Sequence, residues 1–279
     1  MPPKAVKSSS SKNRQEVIIM NAALPSHELH GSGPHHVIAL HGWFGDRTSY
    51  RPLMRWIDAG SFTYALMDQR GYGDSRTADG VFTVEEIAAD AIVLADSLGW
   101  DNFSVIGHSM GGKVAQRLVA DAPDRITALV GISPVPASGA GMGDDVFAFF
   151  DGARDDAGAR RAIIARTTGG RLPEAWLDAT VRYSLECSNP EAFGRYLISW
   201  SKGDFHEEIR DADTPALFIV GEHDPELSAD TMRTTVLRWF KNAQLASFAN
   251  AGHYAMDETP LDLVATIERF LGRATEPAS

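Results

Sequence analysis

Cysteine is almost missing from this chain. Cys187 is the only one among 279 residues, so an intrachain disulfide is excluded, and with it the disulfide-stapled class of small secreted folds. Long hydrophobic runs are missing too. No stretch reaches the ~18 consecutive apolar residues of a membrane-crossing helix. Residues 1–15 are basic and serine-rich, but they lack the apolar segment of a secretory signal. Acid is also absent there: those residues carry Lys4, Lys7, Lys12 and Arg14, so a formal −11 for the whole chain leaves −15 on the remainder. An acidic body argues against nucleic acid and anionic membrane as partners. Residues 1–15 are expected to be a disordered tail, and the missing signal and disulfides point to the cytoplasm. No H-E-x-x-H or matched ligand cluster exists among the nine histidines, and Gly71 and Gly73 have no third glycine opening a helix. No metal and no cofactor are therefore expected.

What is present is ordinary globular material, 44% hydrophobic and 23% charged. Short apolar runs read as buried strands at Val17–Met20, Val37–Leu40, Phe62–Met67, Ser104–Ile106, Ala128–Ile132, Ala216–Val220 and Leu245–Phe248. Helical stretches alternate with them at Thr83–Leu98, Lys113–Ala120, Ser228–Phe240 and Leu261–Leu271. Thr83 and Glu86 have the spacing of a capping box. This alternation predicts an α/β fold with a doubly wound, mostly parallel sheet. Length alone, at roughly 150 residues per domain, suggests two domains. The pattern instead suggests one core, residues 16–133 and 215–279, with residues 134–214 inserted as a helical lid. The insert offers helices near 144–151, 154–167, 173–186 and 190–202 and no convincing strand. In its last helix Phe193, Tyr196, Leu197 and Trp200 fall on one apolar face.

The sharpest chemical signal is Gly107-His108-Ser109-Met110-Gly111-Gly112, a G-x-S-x-G between a strand and a helix. A serine on such a tight turn stands exposed, and the glycines leave room for the neighbouring strand and helix. Ser109 is the candidate nucleophile. A hydroxyl needs a base to take its proton; His253, in Ala251-Gly252-His253 after the last strand, is the candidate. A carboxylate must then fix the base's tautomer. Asp224, in Gly221-Glu222-His223-Asp224-Pro225 at another strand end, is preferred to Glu222. After acyl attack the substrate oxygen becomes an alkoxide, which two preorganised N–H donors stabilise. The backbone N–H groups of Trp43, in His41-Gly42-Trp43-Phe44-Gly45, and of Met110 are assigned to that oxyanion hole.

These pieces resemble the α/β-hydrolase superfamily in its lidded serine-esterase branch, such as bacterial arylesterases and carboxylesterases. The matching segments are His41-Gly42, Asp68-Gln69-Arg70-Gly71-Tyr72-Gly73-Asp74-Ser75, Gly107–Gly112, Gly221–Asp224, and Gly252-His253 with Glu258 and Pro260. The resemblance covers about residues 16–273. The order Ser109, Asp224, His253 is that of these hydrolases. The resemblance implies a structural role for Asp68 and Arg70, and a Ser-His-Asp esterase acting through an acyl-enzyme. Lactonase, thioesterase, perhydrolase and C–C hydrolase use the same triad, and a receptor-like binding protein with slow turnover is a further alternative. Tyr254, where meta-cleavage C–C hydrolases usually carry tryptophan, weighs against that branch. The expected partner is a small-molecule ester, apolar or aryl, in a pocket drawn from Trp43, Phe44, His108, Phe147, Trp176, Tyr196, Trp200 and Tyr254. Oligomeric state is not legible.

Overall fold

The computed structural model describes residues 24–274. The strand expected at Val17–Met20 and the tail expected at 1–15 lie outside the described residues. Seven strands form one sheet: β1 (His27–Gly31), β2 (His35–Leu40), β3 (Phe62–Met67), β4 (Phe103–His108), β5 (Ile126–Ile132), β6 (Ala216–Gly221) and β7 (Ala243–Phe248). Their order across the sheet is β1-β3-β2-β4-β5-β6-β7. β1 runs antiparallel to β3, and the other neighbours are parallel. The expected doubly wound, mostly parallel sheet is thus present, with an antiparallel edge strand that the sequence pattern did not show. β1 reads His-Glu-Leu-His-Gly and has no fully buried residue, because an edge strand needs only one apolar face at most.

The helices fall on both sides. They are α1 (Arg51–Met54), α2 (Val84–Ser97), α3 (Met110–Asp121), α4 (Asp144–Gly152), α5 (Ala157–Thr167), α6 (Glu174–Cys187), α7 (Pro190–Lys202), α8 (Ala229–Thr234), α9 (Ala255–Glu258) and α10 (Pro260–Ala274). Strand alternation feeds two cores. Ile38, Leu40, Val105 and Phe218 join Ile87, Leu94 and Leu118 of α2 and α3 on one face. Val37, Ala39, Ile106 and Leu217 join Leu53 of α1 and Leu263, Ile267 and Leu271 of α10 on the other. Two successive side chains therefore serve opposite faces, as the period of two requires.

Two helices depart from their expected form. Ser228–Phe240 is broken into α8 and a 3-10 turn at Val236–Arg238. Thr231, Thr234 and Thr235 all turn their hydroxyls onto nearby carbonyls, a local competition that weakens a helix. At α2, Thr83 caps as expected by accepting the Glu86 N–H at 3.2 Å. The Glu86 carboxylate, however, accepts from Val81 and Phe82 rather than reaching Thr83. Between β5 and β6 lie four helices, α4 to α7. No described helix is long and apolar enough to cross a membrane.

Candidate active site

β4 delivers Ser109 at the edge of the sheet where the parallel strands end. Its φ of 54° and ψ of −115° lie in a region that non-glycine residues avoid, so the turn is strained. Four hydrogen bonds hold it there. The Ser109 N–H donates to Ile132 O (3.0 Å), and its carbonyl accepts from Gly112, Lys113 and Val135. Glycine is obligatory beside it: a Cβ on Gly111 would sit 2.2 Å from the Leu40 carbonyl of β2.

Asp224 and His253 come from the loops after β6 and β7. Their approach depends on Gly221, where a Cβ would meet the Gly252 carbonyl at 2.2 Å. His253 Nδ1 lies 2.6 Å from Asp224 Oδ2. The other carboxylate oxygen accepts from Glu226 N (3.0 Å) and Leu227 N (3.2 Å). A carboxylate so bound is an acceptor, so Nδ1 of His253 is the donor and Nε2 is left as the basic nitrogen. Asp224 has a fully buried side chain and His253 one that is 10% exposed. Glu222, the alternative acid, is exposed.

The backbone around His253 is gripped at three points. Its N–H donates to Thr167 O at the end of α5 (3.0 Å). Its carbonyl lies 2.9 Å from His108 Nε2. The N–H groups on either side, of Gly252 and Tyr254, both donate to Glu258 Oε1 at 2.9 and 3.2 Å, while Arg171 Nη1 donates to Glu258 Oε2 at 2.9 Å. Burial holds the His108 imidazole well below its ordinary pKa, so it is neutral and donates from Nε2. His108 therefore points at the base loop.

Trp43 follows β2. Its indole N–H donates to Phe193 O (2.8 Å), its ring stacks on Phe193 at 3.9 Å, and its carbonyl accepts from Tyr72 Oη (2.9 Å). Among the described residues its backbone N–H has no acceptor. Met110 opens α3, where a first-turn N–H has no intrahelical acceptor. The segment after β3 is structural in its contacts. Asp68 accepts from the backbones of Arg47 and Asp74, and Arg70 makes a two-pronged contact with Asp90 at 2.6 and 2.7 Å.

Ser109 and His253 line one cavity of about 240 Å³. Of the eight expected pocket residues it brings together Trp43, Phe44, His108 and Tyr254. The other four are absent from its wall, which corrects that expectation. Phe147 packs under the Lys202 ammonium at 3.8 Å. Tyr196 is buried and donates to Arg70 O. Trp200 sits edge-on behind Trp43 at 5.4 Å. Trp176 packs edge-on to Tyr254 and donates to Asp257. The helical spacing of Tyr196 and Trp200 marked a buried face but not what it is buried against. The wall they were expected to supply is built instead from Thr48, Ser49, Thr180, Tyr183, Met256 and Asp257. No sequence signal singled these out; Met256 and Asp257 are only close to His253 in the chain.

A family model described as the alpha/beta hydrolase fold matches residues 35–260. The chain belongs to that family. It is 28% identical over 254 residues to the protein named Esterase YbfF of Escherichia coli K12, across 87% of this chain and 94% of that one. It is 26% identical to a mouse protein named sn-1-specific diacylglycerol lipase ABHD11, across 84% and 80% of the two chains. Among solved structures, an esterase from Exiguobacterium antarcticum superposes with a TM-score of 0.80 at 18% identity, covering 88% of this chain and 94% of that chain.

Proposed function

We propose that the protein is a serine hydrolase of carboxylic esters acting through an acyl-enzyme. The observation that carries this reading is the 2.6 Å contact of His253 Nδ1 with buried Asp224, with His253 and a strained Ser109 opening on one cavity. The family membership and the esterase and lipase names of its relatives support the same class.

In this mechanism Ser109 Oγ attacks the ester carbonyl as His253 Nε2 takes its proton. Asp224 stabilises the imidazolium. The carbonyl oxygen becomes an alkoxide held by the N–H groups of Trp43 and Met110. The tetrahedral adduct collapses, the C–O bond to the alcohol breaks, and the leaving alkoxide takes the proton from His253. Water then attacks the acyl-enzyme, giving its proton to His253, and Ser109 leaves with that proton as the acid is released. Trp43 suits the hole because its N–H shares a peptide plane with the Gly42 carbonyl, which lies 2.9 Å from His41 Nδ1, and its indole is tied to Phe193 O. Residues 16–133 and 215–279 form the catalytic core in this reading, with 134–214 as the cover over its open edge.

The test is Ser109→Ala assayed on p-nitrophenyl acetate, with circular dichroism to show that it folds. Loss of turnover by about a thousandfold or more is expected, since the serine is the nucleophile of every cycle. Turnover of the same order as the parent's would overturn the mechanism.

A further inference from the structure

Among the described residues the cavity wall carries no lysine or arginine and one acid, Asp257. Asp257 sits four residues after the base, where Tyr254 O accepts its backbone N–H and starts α9. Its Oδ2 accepts the Trp176 indole N–H at 3.1 Å, which aims the carboxylate from the insertion side. Among the described residues no cation pairs with it, because the nearby Arg171 is committed to Glu258. Crowding by protein on its inner side raises its carboxyl pKa, the Trp176 hydrogen bond opposes that, and the like charge of Glu258 adds to it, while part of the residue stays open to solvent. No cation of the described residues is among the groups that act on it.

The other polar groups of the wall cannot supply that charge. Tyr183 and Thr48 are tied to Asp46, which does not itself line the cavity, with Tyr183 Oη donating to it at 2.5 Å and Thr48 Oγ1 at 2.6 Å. Thr180 donates to Trp176 O. His108 is neutral, and His253 is neutral when it acts as a base. A substrate that brings its own negative charge would therefore meet a carboxylate and no counter-charge, and would have to shed its water to do so.

We propose that Asp257 is a specificity-determining residue: the site takes uncharged esters and esters bearing a cation, and discriminates against esters bearing a carboxylate or phosphate. This rests on the ester-hydrolase reading above. A sphere with the cavity's volume is about 8 Å across, so a charge anywhere in it lies within reach of Asp257. At about 8 Å and an effective dielectric of roughly 20–40, Coulomb's law corresponds to a factor of about ten in kcat/KM.

The experiment uses two pairs of esters of matched shape at low salt. Monomethyl glutarate against methyl pentanoate reads the penalty for an anion. Butyrylcholine against 3,3-dimethylbutyl butyrate reads the gain for a cation. Asp257→Asn keeps an acceptor for Trp176 and removes the charge. It is expected to raise the first ratio about tenfold and to lower the second, while Asp257→Glu keeps both near the parent's. Asp262→Asn removes one exposed charge from α10 and is expected to move neither ratio. Ratios within twofold of the parent's in Asp257→Asn would overturn the proposal, as would an equal shift in Asp262→Asn, which would assign the effect to net charge. Turnover of methyl pentanoate by Ser109→Ala, or no turnover of any of the four by the parent, would instead overturn the underlying reading.

Discussion

Replacing Glu258 by alanine removes the acceptor that ties down both peptide N–H groups flanking His253. Its side chain is 2% exposed, so little water stands ready to take its place. Each abandoned buried N–H costs about 1–3 kcal/mol. The ion pair with Arg171, whose side chain is 33% exposed, adds no more than about 1 kcal/mol. The expected loss is about 3 kcal/mol, or roughly 5–10 °C in Tm for a chain of this size. The effect on catalysis should exceed the effect on binding. Glu258 does not line the cavity, but a displacement of the base by about 1 Å can lower a rate by ~10². We expect kcat of Glu258→Ala to fall about 10- to 100-fold with KM within about threefold, measured on a p-nitrophenyl ester at a temperature where the variant is folded. Arg171→Met removes the ion pair and the 3.3 Å bond to Asn250 O while leaving both N–H groups satisfied; it should lose about 1 kcal/mol and keep kcat within about threefold. Glu258→Gln retains one acceptor oxygen and should fall between the two. The reasoning fails if folded Glu258→Ala keeps kcat within twofold, or if Arg171→Met is as damaging as Glu258→Ala.

Lys113 gives a pH-dependent test. Its ammonium is buried with Nζ donating to the carbonyls of Trp200 and Gly203, and burial lowers its pKa from 10.5 to about 8. The unfolded chain then binds this proton more tightly than the folded one, so stability rises with pH between about 8 and 10.5. Relative to Lys113→Met, the parent should gain about 2 kcal/mol of unfolding free energy between pH 7 and 9.5 in urea titrations; a constant difference would contradict the burial argument. Cys187 is buried in α6 and its thiol is pushed up by burial. A thiol reagent such as Ellman's should therefore react with the native protein far more slowly than with protein in denaturant, and equal rates would refute that.

Legibility varied with the kind of signal. β2 to β6 were readable because each is an apolar run filling both faces of the sheet, β7 at the far edge showed only Leu245 to Phe248, and their ends needed only small extensions. β1 was not, since His27, Glu28 and His30 carry no apolar pattern. Thr83 was legible as a cap, whereas the break after Thr234 arises from three threonine hydroxyls whose partners are visible only in the fold. Ser109, Asp224 and His253 could be chosen because each follows a strand in a glycine-bearing turn, and turns of that kind at one sheet edge converge. The cavity wall could not. Phe147, Tyr196 and Trp200 have the right chemistry for a pocket but face Lys202, Arg70 and Trp43, while Thr48, Ser49 and Tyr183 reach the cavity from segments far apart in sequence. Helical periodicity says that a side chain is covered, and only tertiary structure says by what.

The segment joining α5 to α6 has a consequence for anyone exchanging parts between relatives. Thr167 holds the peptide of His253, Arg166 pairs with Glu226 two residues beyond Asp224, and Arg171 reaches both Glu258 and Asn250. A Cβ on Gly252 would stand only 2.8 Å from Thr168 Cα. A chimera that transplants the α4–α7 helices from another hydrolase therefore splits a matched interface unless residues 166–171 travel together with the loops at 222–227 and 250–258. The unit of exchange in this scaffold is that three-part set and not the contiguous stretch of helices.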